Sequence, residues 1–258
     1  MAIDLTAAPR KGATRVADIP PAILRRLNAG EIASATLVES LALDFRVLMK
    51  RVLPGVNPAA LRPLEPANGI TKRMNSAGRI LFHARGAAAF GTFATHPSDT
   101  VRGWAAYTLA LTPKMSLGAK LRAMRPLADD PHSGVREWAW LALRPEIAES
   151  LEEALAELIG WTGEASPFLR RFAVEATRPR GVWCDHIAAL KQDPELGLAL
   201  LEPLRADPEK YVQDSVSNWL NDAAKSKPEW VEQLCARWYA ESRGPATVRI
   251  VKRAMRSL

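Results

Sequence analysis

The chain has 258 residues, of which 48% are hydrophobic, and a formal net charge of +7. This composition supports a sizeable core, and the charge is compatible with a polyanionic partner but equally with an ordinary, mildly basic protein. Two cysteines, four scattered histidines and the lack of a CxxC sequence argue against a disulfide framework and a bound metal, and no apolar run is long enough for a membrane span or a secretory signal. We therefore expect a soluble cytoplasmic protein without metal or cofactor.

The N-terminal segment, residues 1–18, contains proline, glycine and several basic residues and is predicted to be a flexible arm. A disordered tail explains it more simply than an arm that contacts DNA. Helical periodicity begins near Pro20, and one amphipathic helix is predicted from apolar residues at steps of three and four: Leu37, Leu41, Phe45, Leu48 and Val52. A Pro-Gly pair at 54–55 should end this helix, and residues 56–69 should form a connector.

A short signature recurs from residue 96 to the end of the chain. It consists of a proline, a short spacer, an apolar residue and an arginine or glutamine, and its prolines are Pro97, Pro131, Pro167, Pro208 and Pro245. The steps between them are 34, 36, 41 and 37 residues. Such a period, with two helices in each unit, is typical of α-solenoids. We therefore predict an all-α fold, a right-handed α-solenoid of HEAT-like repeats that forms a single domain over residues 19–258 and has a concave binding groove.

Each part of the signature has a physical reason. Proline suits the first turn of a helix, and an aspartate before it, as at Asp130 and Asp207, can accept hydrogen bonds from the free N–H groups there. The apolar residue then starts the buried face. Trp104, Trp138 and Phe172 lie two residues after the arginine of their units, so we expect each to fill the interface with a neighbouring helical pair.

Common catalytic signatures are missing, because the chain has no glycine-rich phosphate loop, no GxSxG elbow and no HExxH sequence. Polar clusters remain in three successive repeats. In the first, Glu137, Trp140 and Arg144 share one helix face, since they are three and four residues apart. This cluster fits a site but fits a Glu–Arg pair that closes the surface more simply.

The second cluster combines Arg171, Glu175 and Arg178 on one helix face, and Trp183 follows the predicted helix end. Two guanidinium groups beside one carboxylate suit phosphate contacts around an anionic catalytic group. A structural salt-bridge ladder is the alternative.

The third cluster is a polar stripe along one helix, formed by Asn218, Asn221, Asp222 and Lys225. Asparagine is a poor residue for a helix interior, so the stripe either bonds to the neighbouring repeat or lines the groove. We expect the structural role for Asn218, and both roles remain open for Asp222.

The second and third clusters resemble the AlkC branch of the AlkC/AlkD DNA glycosylases. The resemblance rests on Arg-Arg-x-x-x-Glu-x-Thr-Arg-Pro-Arg-x-x-Trp at residues 170–183, Tyr-Val-x-x-Ser-Val-x-Asn-x-Leu-Asn-Asp-x-x-Lys at 211–225 and Pro-x-Trp-Val at 228–231. It extends over residues 97–258 and implies HEAT-like repeats curved around duplex DNA. It also implies excision of cationic alkylated bases, such as 3-methyladenine, without a metal and without base flipping. The chain resembles the short form that lacks an immunoglobulin-like domain.

The resemblance implies four catalytic residues, Glu137, Glu175, Trp183 and Asp222, of which Glu137 matches the family pattern least closely. The implied DNA-binding residues are Arg171, Arg178, Arg180, Lys225, Arg249, Lys252 and Arg253. The last three also fit an ordinary solvated helix face.

The expected reaction is hydrolysis of the N-glycosidic bond. The carboxylates stabilise oxocarbenium charge and orient water, while an indole packs on the sugar. The expected partner is double-stranded DNA that contains alkylated bases, bound by a monomer. Two alternatives stay open: a HEAT-like scaffold that binds a protein or nucleic acid without chemistry, and a DNA-binding relative that has lost catalysis.

Overall fold

The computed structural model of the chain describes residues 10–258, so the first nine residues of the predicted arm lie outside it. No strand occurs in this range, and the all-α prediction is confirmed. The α-helices are α1 Pro21–Asn28, α2 Leu37–Ala42, α3 Phe45–Val52, α4 Ile70–Arg85, α5 Ala88–Phe93, α6 Asp99–Ala110, α7 Leu117–Ala128, α8 Ser133–Glu149, α9 Leu151–Trp161, α10 Pro167–Ala176, α11 Ala188–Gln192, α12 Leu198–Leu201, α13 Lys210–Ala224, α14 Pro228–Glu241 and α15 Pro245–Ala254.

Short 3-10 helices lie between some of these elements, at Val16–Asp18, Pro58–Leu64, Pro66–Asn68, Pro194–Gly197 and Glu202–Leu204. Two of them fall in the predicted connector at residues 56–69. Among the described residues, no helix combines the length and the apolar character that crossing a membrane would require.

The chain divides into two compact units. The first runs to Met115 and includes Asp130–Ala142, and the second consists of Ser116–Asp129 and Leu143–Leu258. Helix α8 contributes its first part to one unit and its second part to the other. The prediction of a single domain over residues 19–258 stays a prediction.

The core of the first unit forms where α4 and α5 pack against α6. Trp104 on α6 is fully buried, and its ring meets that of Phe45 edge-on at a centroid distance of 5.3 Å. Trp138 is buried as well and lies against Gly103, where an added Cβ would come within 2.7 Å of the indole. The expected role of these tryptophans as buried fillers is therefore correct in this unit.

The predicted amphipathic helix over residues 37–52 is wrong in one respect, because the structure divides it into α2 and α3. Leu43 adopts an extended conformation, and the Asp44 side chain accepts hydrogen bonds from the backbone N–H groups of Arg46 and Val47. This aspartate caps the first turn of a separate helix. Leu37 and Leu41, which were expected to be on the buried stripe, are consequently exposed.

The second unit is built around α13, which packs against α10, α14 and α15. Trp219 and Trp238 are fully buried, and Phe172 stacks at a tilt against Trp161 with their ring centroids 5.0 Å apart. The indole Nε1 of Trp219 donates to the Thr177 carbonyl just beyond α10. The end of α10 is thereby attached to the middle of α13, and these two helices carry the predicted polar clusters.

The arginine of the repeat signature has a structural function that the sequence pattern did not predict. Nη1 of Arg102, Arg136 and Arg170 donates to the carbonyls five and six residues earlier, at distances of 2.6–3.1 Å. Gln213, which takes the place of the arginine in the signature of Pro208, donates one such hydrogen bond, from Nε2 to the carbonyl of Asp207 six residues earlier. The arginine thus satisfies the polar backbone of the connector that precedes its own helix.

Two of these arginines also pair with the aspartate of the following signature. Arg102 binds Asp130 through Nε and Nη2 at 2.8 and 3.2 Å, and Arg170 binds Asp207 at 2.6 and 3.1 Å. Each aspartate also accepts the backbone N–H two residues later, as predicted. Because these bidentate pairs are largely buried, they fix one repeat against the next within each unit.

Part of the predicted arm makes specific contacts with α2. Arg10 forms a bidentate ion pair with Glu39, with both N–O distances 2.6 Å. The Glu39 carboxylate also accepts the backbone N–H groups of Ala13 and Ala35. The Arg10 hydrogen bonds, followed by those from the backbone, lower the pKa of Glu39 to about 2 despite its burial.

This pKa predicts a stability that depends on pH. An ionised Glu39 stabilises the fold above its ordinary pKa of 4.5, and that contribution is lost as the pH falls towards 2. At pH 7 we expect Glu39→Gln to lower the free energy of unfolding by about 3 kcal/mol, measured by urea denaturation, with the difference vanishing near pH 2. The control Glu31→Gln, whose partner Arg26 is mostly exposed, should cost less than about 1 kcal/mol. An unchanged gap between the wild type and Glu39→Gln from pH 7 to pH 2.5 would contradict this assignment.

Candidate active site in the second compact unit

Glu175 lies at the C-terminal end of α10, and only 3% of its surface is exposed. Its Oε1 accepts a 2.7 Å hydrogen bond from Ser215 Oγ on α13 and lies 3.5 Å from Arg171 Nη2. Its Oε2 lies 3.3 Å from Arg178 Nη1. The predicted trio therefore meets, and both carboxylate oxygens contact guanidinium groups.

Asp222 is the second buried carboxylate of the site and lies on α13, with 4% of its surface exposed. Its Oδ2 accepts a 2.9 Å hydrogen bond from Arg178 Nε and lies 2.8 Å from Nη2. Its Oδ1 lies 3.4 Å from Lys225 Nζ, which is half exposed. Arg178 therefore joins Glu175 on one helix to Asp222 on another.

Arg178 remains charged in this position. Burial by itself lowers its pKa, but the carboxylates of Glu175 and Asp222 outweigh burial and raise the pKa above its usual value. We call the group formed by Arg171, Glu175, Arg178, Ser215 and Asp222 the carboxylate pair site.

The two arginines predicted to bind DNA are largely enclosed. About one eighth of each side chain is exposed, at Arg171 and at Arg178, and the Arg171 guanidinium lies 4.3 Å from the centre of the Tyr211 ring. These contacts correspond to the salt-bridge ladder that the sequence left as the alternative. A role at phosphates stays a prediction for both residues.

Trp183 lies on the segment that follows α10. Its backbone φ is +63°, in the left-handed region that side chains with a Cβ rarely adopt, and half of its surface is exposed. The next residue, Cys184, is close enough to Arg144 and Arg178 for both guanidinium groups to oppose the rise that burial causes in the thiol pKa. The chain therefore brings the Trp183 segment next to the carboxylate pair site.

The sequence analysis missed one residue of the carboxylate pair site and one residue beside it. Ser215 donates to Glu175, and its signal was present, because it stands in the Tyr-Val-x-x-Ser-Val motif. Arg144 was predicted on a face with Glu137 and Trp140, but its guanidinium instead donates to the carbonyls of Ala176, Arg178 and Asp185. No pattern in the sequence marks an arginine whose acceptors are backbone carbonyls.

The remaining predicted catalytic residue, Glu137, lies in the first compact unit. Its Oε2 accepts a 2.9 Å hydrogen bond from Trp140 Nε1 on the same helix. The sequence placed these two on one face correctly, and the catalytic role of Glu137 stays a prediction.

The other basic residues predicted to bind DNA differ in their partners. Arg180 donates to Ser226 Oγ. Arg249 and Arg253 on α15 both pair with Asp214, at 2.7 and 3.1 Å. Lys252 between them is exposed and has no ion-pair partner among residues 10–258.

The asparagines of the predicted stripe bond to the end of α15. Asn221 Nδ2 donates to the Ala254 carbonyl at 3.0 Å, and Asn218 Oδ1 accepts from Arg256 Nη2 at 3.0 Å. Both contacts agree with the structural role expected for Asn218. The stripe is therefore divided, because its asparagines hold α15 while Asp222 faces Arg178.

Residues 135–251 match the model of a protein family described as DNA alkylation repair enzyme. The uncharacterized protein YhaZ of Bacillus subtilis (strain 168) is 38% identical over 117 residues, which are 45% of this chain and 32% of that protein. The chain therefore spans about a third of the length of this curated relative.

Solved structures share the fold. Pseudomonas fluorescens alkylpurine DNA glycosylase AlkC, bound to DNA containing an abasic site analog, aligns with a TM-score of 0.64 and 25% identity over 91% of this chain and 61% of that chain. Residues 135–251 of this chain are thus similar to the DNA alkylation repair enzyme family, and the chain shares the fold of AlkC. AlkD2 from Streptococcus mutans aligns with a TM-score of 0.61 and 20% identity, over 73% of this chain and 90% of that chain, and shows the fold alone. The helical-repeat prediction for this chain is thereby confirmed.

The range that matches the family model contains the whole carboxylate pair site together with Arg144 and Trp183. Most of the first compact unit of the chain lies outside it, because the match begins at residue 135.

Because Arg178 pairs with both buried carboxylates, removing its guanidinium should destabilise the fold strongly. We expect Arg178→Met to lower the free energy of unfolding by about 3–5 kcal/mol at pH 7, because two buried carboxylates lose their common partner. Lys225→Met removes the half-exposed partner of the same aspartate and should cost less than about 1 kcal/mol. Urea denaturation of the two variants makes the comparison, and equal losses would show that Arg178 does not hold the pair.

Proposed function

We propose that this protein is a DNA glycosylase that hydrolyses the N-glycosidic bond of cationic alkylated bases in duplex DNA. The observation that carries the proposal is the pair of buried carboxylates, Glu175 and Asp222, joined by Arg178 next to the half-exposed Trp183. The match to the DNA alkylation repair enzyme family over the same residues supports it.

The chemistry of the lesion suits such a site. A purine alkylated at a ring nitrogen is positively charged and leaves without being protonated, so the site needs no general acid and no metal. Breaking the bond develops positive charge on the sugar, which a carboxylate in a water-poor site stabilises. An indole face beside that charge adds a cation–π term on the order of 1 kcal/mol. Nothing in this scheme requires the base to leave the helix stack, and the product is an abasic site.

The two carboxylates differ in how freely they can act. Both oxygens of Glu175 contact guanidinium groups, whereas Oδ1 of Asp222 has only Lys225 as a partner among the described residues. The Lys225 pair is half exposed and therefore weak, so a nearby DNA phosphate can draw the lysine away. We assign Asp222 to the direct role, facing the sugar or the attacking water, and Glu175 to the role of holding Arg178 and the local charge.

A DNA-binding relative without catalysis is the second candidate. The contacts of Glu175 favour this candidate, since a carboxylate that is already paired with two guanidinium groups stabilises a sugar cation less. The two candidates differ in one measurable respect, the release of free base.

Release of methylated bases from methylated duplex DNA decides between the candidates. We expect release by the wild-type protein, a decrease of about 10²-fold or more in Asp222→Asn and a smaller decrease in Glu175→Gln, with DNA affinity nearly unchanged in both. Glu229→Gln, an exposed charge change in the same unit, should behave as the wild type. Binding of DNA without any release would support the non-catalytic candidate, and undiminished release by Asp222→Asn would remove that residue from the mechanism.

Lys252 and Arg249 make a matched test of DNA binding. A lysine that neutralises one phosphate contributes about 0.9 to the slope of log K against log salt concentration. We expect Lys252→Ala to reduce the slope by about that amount. Arg249→Ala should reduce it by less than half as much, because Arg249 is already paired with Asp214. Fluorescence anisotropy of labelled duplex DNA at several salt concentrations measures both slopes, and an unchanged slope in Lys252→Ala would place α15 away from the DNA.

A further inference from the structure

The segment that carries Trp183 is held in an unfavourable backbone conformation. Among the described residues only Lys114 and Trp183 have a left-handed φ without being glycine. A bulky residue in this region persists only where the surroundings fix it. The backbone bond from Ile187 N–H to the Pro179 carbonyl closes the segment at its base, but it lies outside the stretch around Trp183 itself.

The guanidinium of Arg144 holds the backbone on both sides of Trp183. Arg144 exposes only 2% of its surface, and its guanidinium donates to three carbonyls. One is that of Ala176, the last residue of α10, at 3.0 Å. The others are those of Arg178 at 2.6 Å and Asp185 at 3.1–3.2 Å, which stand before and after Trp183 in the chain.

Arg144 makes four hydrogen bonds to these three carbonyls, and only the one to Ala176 is explained by the end of a helix. A bond to Ala176 alone satisfies an unpaired carbonyl at the end of α10. The bonds to Arg178 and Asp185 fix the two sides of the segment to a single rigid, planar group. A lysine carries the same charge but has no planar fork with which to hold both sides.

Close packing at Gly181 completes the arrangement. A Cβ at this position would come within 2.3 Å of Cys184 Sγ and 3.2 Å of Arg144 Cζ. The φ of Gly181 is not in the left-handed region, so an alanine here would be opposed by the side chains of Cys184 and Arg144, which would have to shift, and not by backbone conformation. The missing side chain lets the segment fold onto Arg144.

We propose that Arg144 is a positioning residue for Trp183, holding the indole in the place from which it acts on the DNA substrate. This inference rests on the proposed glycosylase function. Because Arg144 is buried beneath the segment, the proposal assigns its effect on excision to the position of Trp183 and not to direct contact with the substrate.

A double-mutant cycle on the full-length protein tests the proposal. We expect Arg144→Lys to lower the single-turnover rate of base release by about 10-fold or more, since small displacements of a positioned group are costly. In a Trp183→Phe background the same change should have almost no further effect. Arg237→Lys, on the exposed face of α14, is the matched control and should leave the rate unchanged. Rate losses that multiply in the double variant would overturn the proposal, because Arg144 would then act independently of Trp183.

Hydrogen exchange gives a readout that does not depend on activity. Exchange of the backbone amides in residues 178–187 should be at least 10-fold faster in Arg144→Lys, with a much smaller change in the exchange of α13. Unchanged exchange in residues 178–187 would show that Arg144 does not hold this segment and would overturn the proposal. If the wild-type protein releases no base, the proposed function fails, while the exchange result still decides whether Arg144 holds the segment.

Gly181→Ala disturbs the contact between the segment and Arg144 without changing Arg144 itself. It therefore provides a test if Arg144→Lys does not fold. It should slow base release and speed local exchange as Arg144→Lys does. Adding Cys184→Ala, which removes the atom nearest to the new Cβ, should restore most of both. No rescue, together with a loss of rate that is independent of Trp183, would overturn the proposal.

Discussion

The site depends on one guanidinium that two buried carboxylates share. Glu175 and Asp222 each expose only 3–4% of their surface, and Arg178 is the cation that touches both. The pairing ties the end of α10 to α13, because separating the two helices would break at least one of the ion pairs of Arg178. The rest of the second unit supports this geometry: Trp219 attaches the end of α10 to α13, and Asn221 attaches α13 to the end of α15.

Much of this arrangement follows from helical periodicity. The spacing of Arg171, Glu175 and Arg178 was sufficient to predict that the three side chains meet, since residues three and four apart are neighbours on a helix. The spacing of the proline signatures was likewise sufficient to predict paired helices and the burial of Trp104 and Phe172. In both cases the interaction is local or repeats at a fixed interval, and such regularities are visible in one sequence.

The contacts that the sequence did not predict join residues far apart in the chain or involve backbone carbonyls, and neither kind produces a sequence pattern. The contact of Arg178 with Asp222 joins residues 44 positions apart, and the acceptors of Arg144 are backbone carbonyls, which every residue possesses. The break between α2 and α3 was missed for a different reason. The apolar period continues across Leu43 and Asp44, but the aspartate side chain offers the backbone N–H groups an alternative to a continuous helix.

The arginine of the repeat signature affects how easily repeats can be added to such a chain by duplication. In Arg102, Arg136 and Arg170 one nitrogen binds only the backbone of its own connector, and this contact requires no particular side chain in the neighbouring repeat. A gene duplication that copied one unit would therefore bring its connector hydrogen bonds with it, already satisfied. Of the hydrogen bonds that Arg102 and Arg170 make, only those to the aspartate of the next unit depend on what comes after. Internal duplication of a unit would therefore require new packing against its neighbour but no redesign of its connector.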